Sequence, residues 1–329
     1  MVCCLFAILA LAAVVSVWTE LRSPYYGAGE EEVFINIPPG TSTAEITGKL
    51  KEQGILRSGL PLRLWMRYHD IDRDLQAGEY RFSGMATPIE VAERLARGDV
   101  YFRSITIPEG LTAMETVDLL ARSGFGDRKK LEAMLLRTDL IRDLNPSAEN
   151  LEGYLFPATY RFGRMDEEAV ITAMVNQFKI RINRILRESP LPDRWTIPDI
   201  VTLASMIEKE ASNPREQPIV ASVLTNRLRI NMKLDCDATI IYAMKLAGTW
   251  DGNIRRADLR MDSPYNSYIY RGLPPGPICN PGESTIRAAL NPDETEYFYY
   301  VSRNDGTHQF SIDLRAHNNA VNRYQRSGR

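Results

Sequence analysis

The sequence predicts an α+β protein carried on an N-terminal apolar helix, and three observations predict it. An uncharged apolar run, Val2–Trp18, opens the chain. A strand–turn–helix pattern then recurs, starting near Val33, Tyr80 and Ser104. The distal half is mainly a succession of helical periodicities that ends in a hairpin signal and a last helix. At 329 residues the chain is long enough for two or three domains and at least one sizeable core. With 44% apolar and 25% charged residues it is globular and not disordered. The net charge of −2, with basic and acidic residues interspersed, gives no field to gather a polyanion, so nucleic acid is not an expected partner.

Residues 1–19 read as a transmembrane anchor. As a helix, Val2–Trp18 spans about 25 Å, close to the ~30 Å hydrocarbon core once tilt and flanks are included. Trp18, Glu20 and Arg22 mark the exit into water. A cleaved signal peptide is the rival reading, but neither a basic n-region nor a small-x-small cleavage site is convincing in this run. The expected arrangement is a single-pass anchor with the rest of the chain outside the cytoplasm. Cys3 and Cys4 stand at the start of the apolar run instead of following it, which argues against a lipoprotein. Cys236 and Cys279 could pair in an oxidising compartment or remain free buried thiols; spacing leaves both open.

Residues 20–32 read as an acidic, Gly-containing linker. Residues 33–102 hold the first repeats. Val33, Ile35 and Ile37 alternate as a strand, Pro38-Pro39-Gly40 ends it, and Ser42 with Glu45 makes a capping box for the helix that follows. The same register returns in Ser104–Phe125, and more weakly in Tyr80–Gly98. The repeat resembles the βααβ block of LysM-like carbohydrate-binding modules, although such units also serve as plain scaffolding. Residues 103–150 read as a second strand–helix unit and a charged helical connector. Residues 151–329 read as a helix-rich domain with a β-hairpin region.

In that last region Leu151–Phe162 is dense in aromatics around Glu152 and Tyr154, a composition that suits sugar faces and an ordinary core alike. Helices are expected over Glu167–Arg187, residues 197–212 and Ile219–Arg229, with another capped at Asp237. Ser263–Gly282 is irregular and proline-rich, as loops that shape clefts often are. Glu283–Leu290 is a short helix. Asn304-Asp305-Gly306 turns a hairpin between Tyr297–Val301 and His308–Ser311.

The segment Val201–Ser212 carries the sharpest chemical signal. Ile200, Leu203, Ala204, Ile207 and Ala211 recur at helical spacing, and Glu210 falls inside the edge of that apolar stripe, while Glu208 and Lys209 turn towards solvent. A carboxyl against apolar neighbours loses solvation of its charged form, so it can hold a proton near neutral pH and donate it as a general acid. The helix alone leaves a second reading open: a boundary Glu whose stem packs and whose head reaches water.

Other chemistries are poorly supported. There is no Gly-x-Ser-x-Gly elbow, P-loop, Gly-x-Gly-x-x-Gly or His-Glu-x-x-His. His69, His308 and His317 make no metal-ligand spacing, so no metal or cofactor is expected. Carboxylates remain: Glu210, Glu152, Asp235 and Asp237.

The ordered set LASMIEKEAS, NRL, DATIIYA, SPYNSY and GLPPGPICNPG, with LEGYLFPATY before it, resembles the endolytic murein transglycosylase family (MltG, YceG-like) over nearly the whole chain. That resemblance implies a peptidoglycan lytic transglycosylase, a carbon–oxygen lyase. It would cleave the β-1,4 bond between N-acetylmuramic acid and N-acetylglucosamine inside nascent strands and leave a 1,6-anhydro end. It places the catalytic glutamate on Glu210. It also implies that Tyr265, Asn266 and Tyr268, with Pro274, Pro275 and Asn280, wall the substrate groove. Glu152, Tyr154, Asn226 and Arg227 would support the strand, and Asp237 would act from behind Glu210. The expected partners are peptidoglycan strands, the cytoplasmic membrane and wall synthases. The chain departs from the family pattern at Asp235 and Ala238, where Gln and Pro are usual, and at Ala158, where Asp is common. A non-catalytic wall-binding scaffold and a muramidase-type hydrolase are the alternatives.

Overall fold

A computed structural model of the chain describes residues 2–26, 31–163 and 166–326, with the side chains of 2–7 and 10 outside that set. It divides into two compact units, residues 1–104 with 161–164, and residues 105–160 with 165–329.

The first unit begins with α1 (Val2–Arg22), followed by β1 (Val33–Ile37), α2 (Thr43–Glu52), α3 (Leu60–Tyr68), β2 (Gly78–Phe82) and α4 (Pro88–Arg97). β1 and β2 pair antiparallel, from Val33 opposite Phe82 to Ile37 opposite Gly78. The order of elements around this pair is β1-α2-α3-β2. Alternation puts Ile35 and Ile37 into the core with Leu50, Leu62, Tyr80, Val91 and Leu95. The Ser42–Glu45 capping box forms as read, and Thr87–Glu90 repeats it at α4.

One expectation about the N-terminus changes. The linker does not begin at residue 20: α1 runs to Arg22, Leu21 is buried in the core of this unit, and Tyr25 pairs with Ala86. Residues 27–30 of the expected linker lie outside the described residues. Among the described residues no helix is long and apolar enough to cross a membrane. Much of the run on which that expectation rests has side chains outside the described set.

The chain passes into the second unit through β3 (Arg103–Thr106), then α5 (Ala113–Arg122), α6 (Arg128–Met134), β4 (Thr159–Phe162), α7 (Glu167–Glu188), α8 (Ile197–Glu210), α9 (Gln217–Arg229), α10 (Asp237–Leu246), α11 (Glu283–Leu290), β5 (Tyr299–Ser302), β6 (His308–Ser311) and α12 (Leu314–Val321). β3 pairs with β4, and a third capping box, Thr112–Glu115, opens α5. The expected boundary at 150/151 falls inside this unit. Leu151 N donates to Leu135 O at 2.9 Å, and Asn280 ties both sides of that boundary: its amide donates to Leu111 O at 3.0 Å, and its Oδ1 accepts from Leu155 N at 2.9 Å.

α8 is the centre of this unit. Thr196 and Asp199 cap it reciprocally, and every residue from Ile200 to Ile207 is buried, including Thr202 and Ser205. The sequence suggests one apolar stripe, but α9, α10 and α11 all pack on this helix, so its middle turns are enclosed on every side. Each of Ile200, Leu203, Met206 and Ile207 contributes about 1.5–3 kcal/mol by that burial. The hairpin is as read, with Tyr300 opposite Phe310 and Ser302 opposite His308.

Candidate active site

The helix expected over 197–212 ends two residues early, so Glu210 is the last residue of α8. Ala211 turns to extended backbone (φ −118, ψ 93), and Pro214 restricts the chain beyond it. Glu210 therefore leaves the buried helix where the chain emerges. The residue is partly exposed, but both carboxyl oxygens are enclosed by donors. Cys236 Sγ donates to Oε1 at 2.9 Å, and Tyr300 OH donates to Oε2 at 3.0 Å.

The carboxyl is held above the ordinary carboxylate range. Burial is the main cause, the Cys236 and Tyr300 hydrogen bonds oppose it, the Asp237 charge adds to it and His308 opposes it. The negative end of the α8 dipole acts in the same direction as burial. Cys236 and Tyr300 are themselves pushed well above their usual values, first by burial and then by Glu210. Both stay protonated and both remain donors.

The surroundings come from four places in the chain. Asp235, at φ +45, turns the backbone so that Cys236 N reaches Ser267 Oγ at 2.9 Å, just before α10. Tyr300 comes from β5. His308 opens β6, and Glu216 holds it at both its backbone N (3.0 Å) and its Nδ1 (2.7 Å). The edge of one of the Tyr300 and His308 rings meets the face of the other at 5.6 Å.

Glu208, expected to face solvent, instead accepts from Gly282 N at 2.9 Å and Thr285 Oγ1 at 2.7 Å, which ties it to the start of α11. Asp237 is exposed and is the first residue of α10, with Cys236 and not Asp237 at the N-cap; the Tyr268 hydroxyl donates to its Oδ1. Cys236 and Cys279 are both free and buried.

Several residues expected to face a sugar are spent on the fold. Tyr154 is 1% exposed, and its hydroxyl accepts from Asn145. Asn266 is fully buried, and its amide donates to Leu259 O and Met261 O. Asn280 is equally buried in the ties described above. Asn226 donates to Thr295 O and Tyr297 O, and so holds the chain leading into β5. Pro274 is buried, whereas Pro275 is exposed. Tyr265 is half-buried with its ring 4.9 Å from that of Tyr242, and Tyr268 is also half-buried.

Glu152 is a second buried carboxyl. Ala113 N donates to its Oε1 at 2.9 Å and Tyr242 OH to its Oε2 at 3.2 Å. Burial pushes it up to about 8 against those donors. Its partners are all different from those of Glu210, so the two carboxyls do not form a bonded pair. Among the described residues no group of three or more His, Cys, Asp or Glu could hold a metal ion.

The reading from sequence missed Cys236 and Tyr300. Tyr300 lies in a run of four aromatic residues, Tyr297–Tyr300, and nothing in that pattern marks which ring turns inward.

A carboxyl raised above its ordinary range by burial, at the mouth of a helical core and held by neutral donors, has the attributes of a general acid–base centre. Residues 35–323 match the YceG-like family, and the chain belongs to that family. It is similar to the endolytic murein transglycosylase of Bacillus subtilis (strain 168), with 32% identity over 322 residues that cover 93% of this chain and 88% of that protein. The endolytic murein transglycosylase of Streptococcus pneumoniae serotype 2 (strain D39 / NCTC 7466) is 26% identical over 313 residues, 85% of this chain but 56% of that protein. A crystal structure of a yceG-like protein from Listeria monocytogenes superposes with a TM-score of 0.59 at 29% identity, covering 89% of this chain and all of that one.

Proposed function

We propose that this chain is an endolytic lytic transglycosylase of peptidoglycan, with Glu210 as its general acid and then its general base. The observation that carries the reading is the Glu210 carboxyl itself, raised by burial yet partly reachable at the end of α8. Protonated Glu210 donates to the glycosidic oxygen as the bond between N-acetylmuramic acid and N-acetylglucosamine breaks. The resulting carboxylate takes the proton from the muramic 6-hydroxyl, whose oxygen closes on the anomeric carbon and gives the 1,6-anhydro end. The nucleophile belongs to the substrate, so the step gains from proximity, and the N-acetyl group stabilises the developing cation without a second enzyme carboxylate. This fits the position of Glu152, whose oxygens are already taken by Ala113 and Tyr242. Tyr265, Tyr268 and Pro275 are the members of the expected wall that keep exposed surface, and they line the groove in this reading.

In the same proposal residues 2–18 anchor the protein in the cytoplasmic membrane. Ile8, Leu9, Leu11, Val14 and Val15 leave apolar side chains uncovered, which a lipid phase would cover. The βααβ unit is LysM-like and would hold the glycan, and wall synthases are the expected partners.

The test is digestion of purified sacculi, with products weighed by mass spectrometry. The wild type should release anhydro-ended fragments, and Glu210→Gln should lose about 10²–10⁴-fold in rate. Products heavier by one water would make it a hydrolase. Retention of glycan with no product would make it a binding scaffold.

A further inference from the structure

We infer that Cys236 and Tyr300 form a two-sided clamp on Glu210, one donor to each carboxyl oxygen, which fixes its orientation and sets the pH range in which it works. The inference rests on Glu210 being the acid–base residue of the proposed reaction. The geometry is one donor per oxygen, at 2.9 Å from the thiol and 3.0 Å from the phenol. With both oxygens engaged, the carboxyl is restrained from two sides at the end of α8.

The clamp has its own support. Arg227 is buried on α9; its Nε donates to Phe298 O at 2.6 Å and its Nη1 to Leu234 O at 2.8 Å. Those carbonyls belong to the residues two before Tyr300 and two before Cys236. One guanidinium thus keeps both donor segments in register, a fork that a lysine could not reproduce. Arg227 is a positioning residue in this arrangement, and so are Cys236 and Tyr300, since all three act through Glu210.

The two donors are not equivalent. A phenol O–H is the stronger donor and a thiol S–H the weaker. Both stabilise the carboxylate over the acid, so they oppose burial and keep Glu210 able to release its proton. The other charged or titratable groups facing it are Asp237 from α10, which favours the acid, and His308 from β6, which favours the carboxylate. His308 is itself held by Glu216, and Arg227 faces Tyr300 from α9.

The test compares Tyr300→Phe, Cys236→Ala and Cys236→Ser in the full chain, by the pH profile of kcat/KM and by carbon NMR titration of the Glu210 carboxyl without substrate. Removing the phenol should raise the Glu210 titration and the alkaline limb by about one pH unit, on the usual strength of a hydrogen bond to a charged group. Cys236→Ala should raise them by less, and Cys236→Ser, which restores a donor and a stronger one, should bring them back to the wild-type position or below it, with KM unchanged throughout. A loss of rate with no movement of either curve would indicate a merely structural role. Titrations of Tyr300→Phe and Cys236→Ala that coincide with the wild type would overturn the clamp. Titrations that move as stated in a protein yielding no anhydro product would leave the clamp standing and sink the transglycosylase reading.

Discussion

At the scale of single residues, burial raises two carboxyls in different settings, and the proposed reading gives chemistry only to one of them. Glu210 is partly reachable, whereas Glu152 is enclosed against the first turn of α5. Burial raises Glu152 from 4.5 to about 8. Between those values the folded chain keeps a proton that the unfolded chain has released, so stability falls as pH rises across that window. Glu152→Gln is neutral in both states and should flatten this dependence. The check is the thermal midpoint of both proteins from pH 5 to pH 8, where the wild type should lose more. Glu210 was legible in the sequence because its place depends on the spacing within one helix. Asn266 and Tyr154 were misread because a polar side chain carries no mark of whether its partner is a sugar or a backbone carbonyl.

At the scale of elements, helix starts were the most legible features. Ser42–Glu45, Thr87–Glu90 and Thr112–Glu115 each place a hydroxyl three residues before a glutamate, and each closes a reciprocal cap. Thr112→Ala should cost about 1 kcal/mol, read as a lower urea midpoint with an unchanged slope. The proline-rich segment depends on a closer fit. Gly153 sits at φ +85, and a Cβ there would lie 2.5 Å from Pro277 and 3.0 Å from Val201 of α8. Gly153→Ala combines left-handed backbone with a clash against ring and helix, so it should destabilise by more than about 1 kcal/mol. Denaturation midpoints of this variant and the wild type, taken side by side, check it. The end of α8 was less legible, because an apolar periodicity continues through Ala211 while the backbone has already turned.

At the scale of the whole molecule, the N-terminal helix has two tasks in the proposed reading. Its uncharged part anchors, and its last turn docks Leu21 onto the core of the first unit. Leu21→Ala should therefore destabilise that unit by roughly 2–5 kcal/mol, as burial-to-cavity changes do. Limited proteolysis within residues 33–100 should report it as faster cleavage, while membrane recovery after carbonate extraction stays as in the wild type. Removing residues 2–16 should do the reverse: release from the membrane with the unit still protected.

The sequence by itself determined what local spacing can specify: the strand at β1, the three capped helices, the hairpin, and a glutamate at the edge of an apolar helix. Local spacing suffices for these, because hydrogen bonds and side-chain directions within a helix or strand repeat at fixed intervals. Tertiary packing alone decided which polar groups are spent inside the fold and which two donors meet Glu210. Cys236 lies 26 residues from it and Tyr300 lies 90 away. At such separations no periodicity links one side chain to another, and only the packing of α9, α10 and the hairpin around α8 brings them into contact.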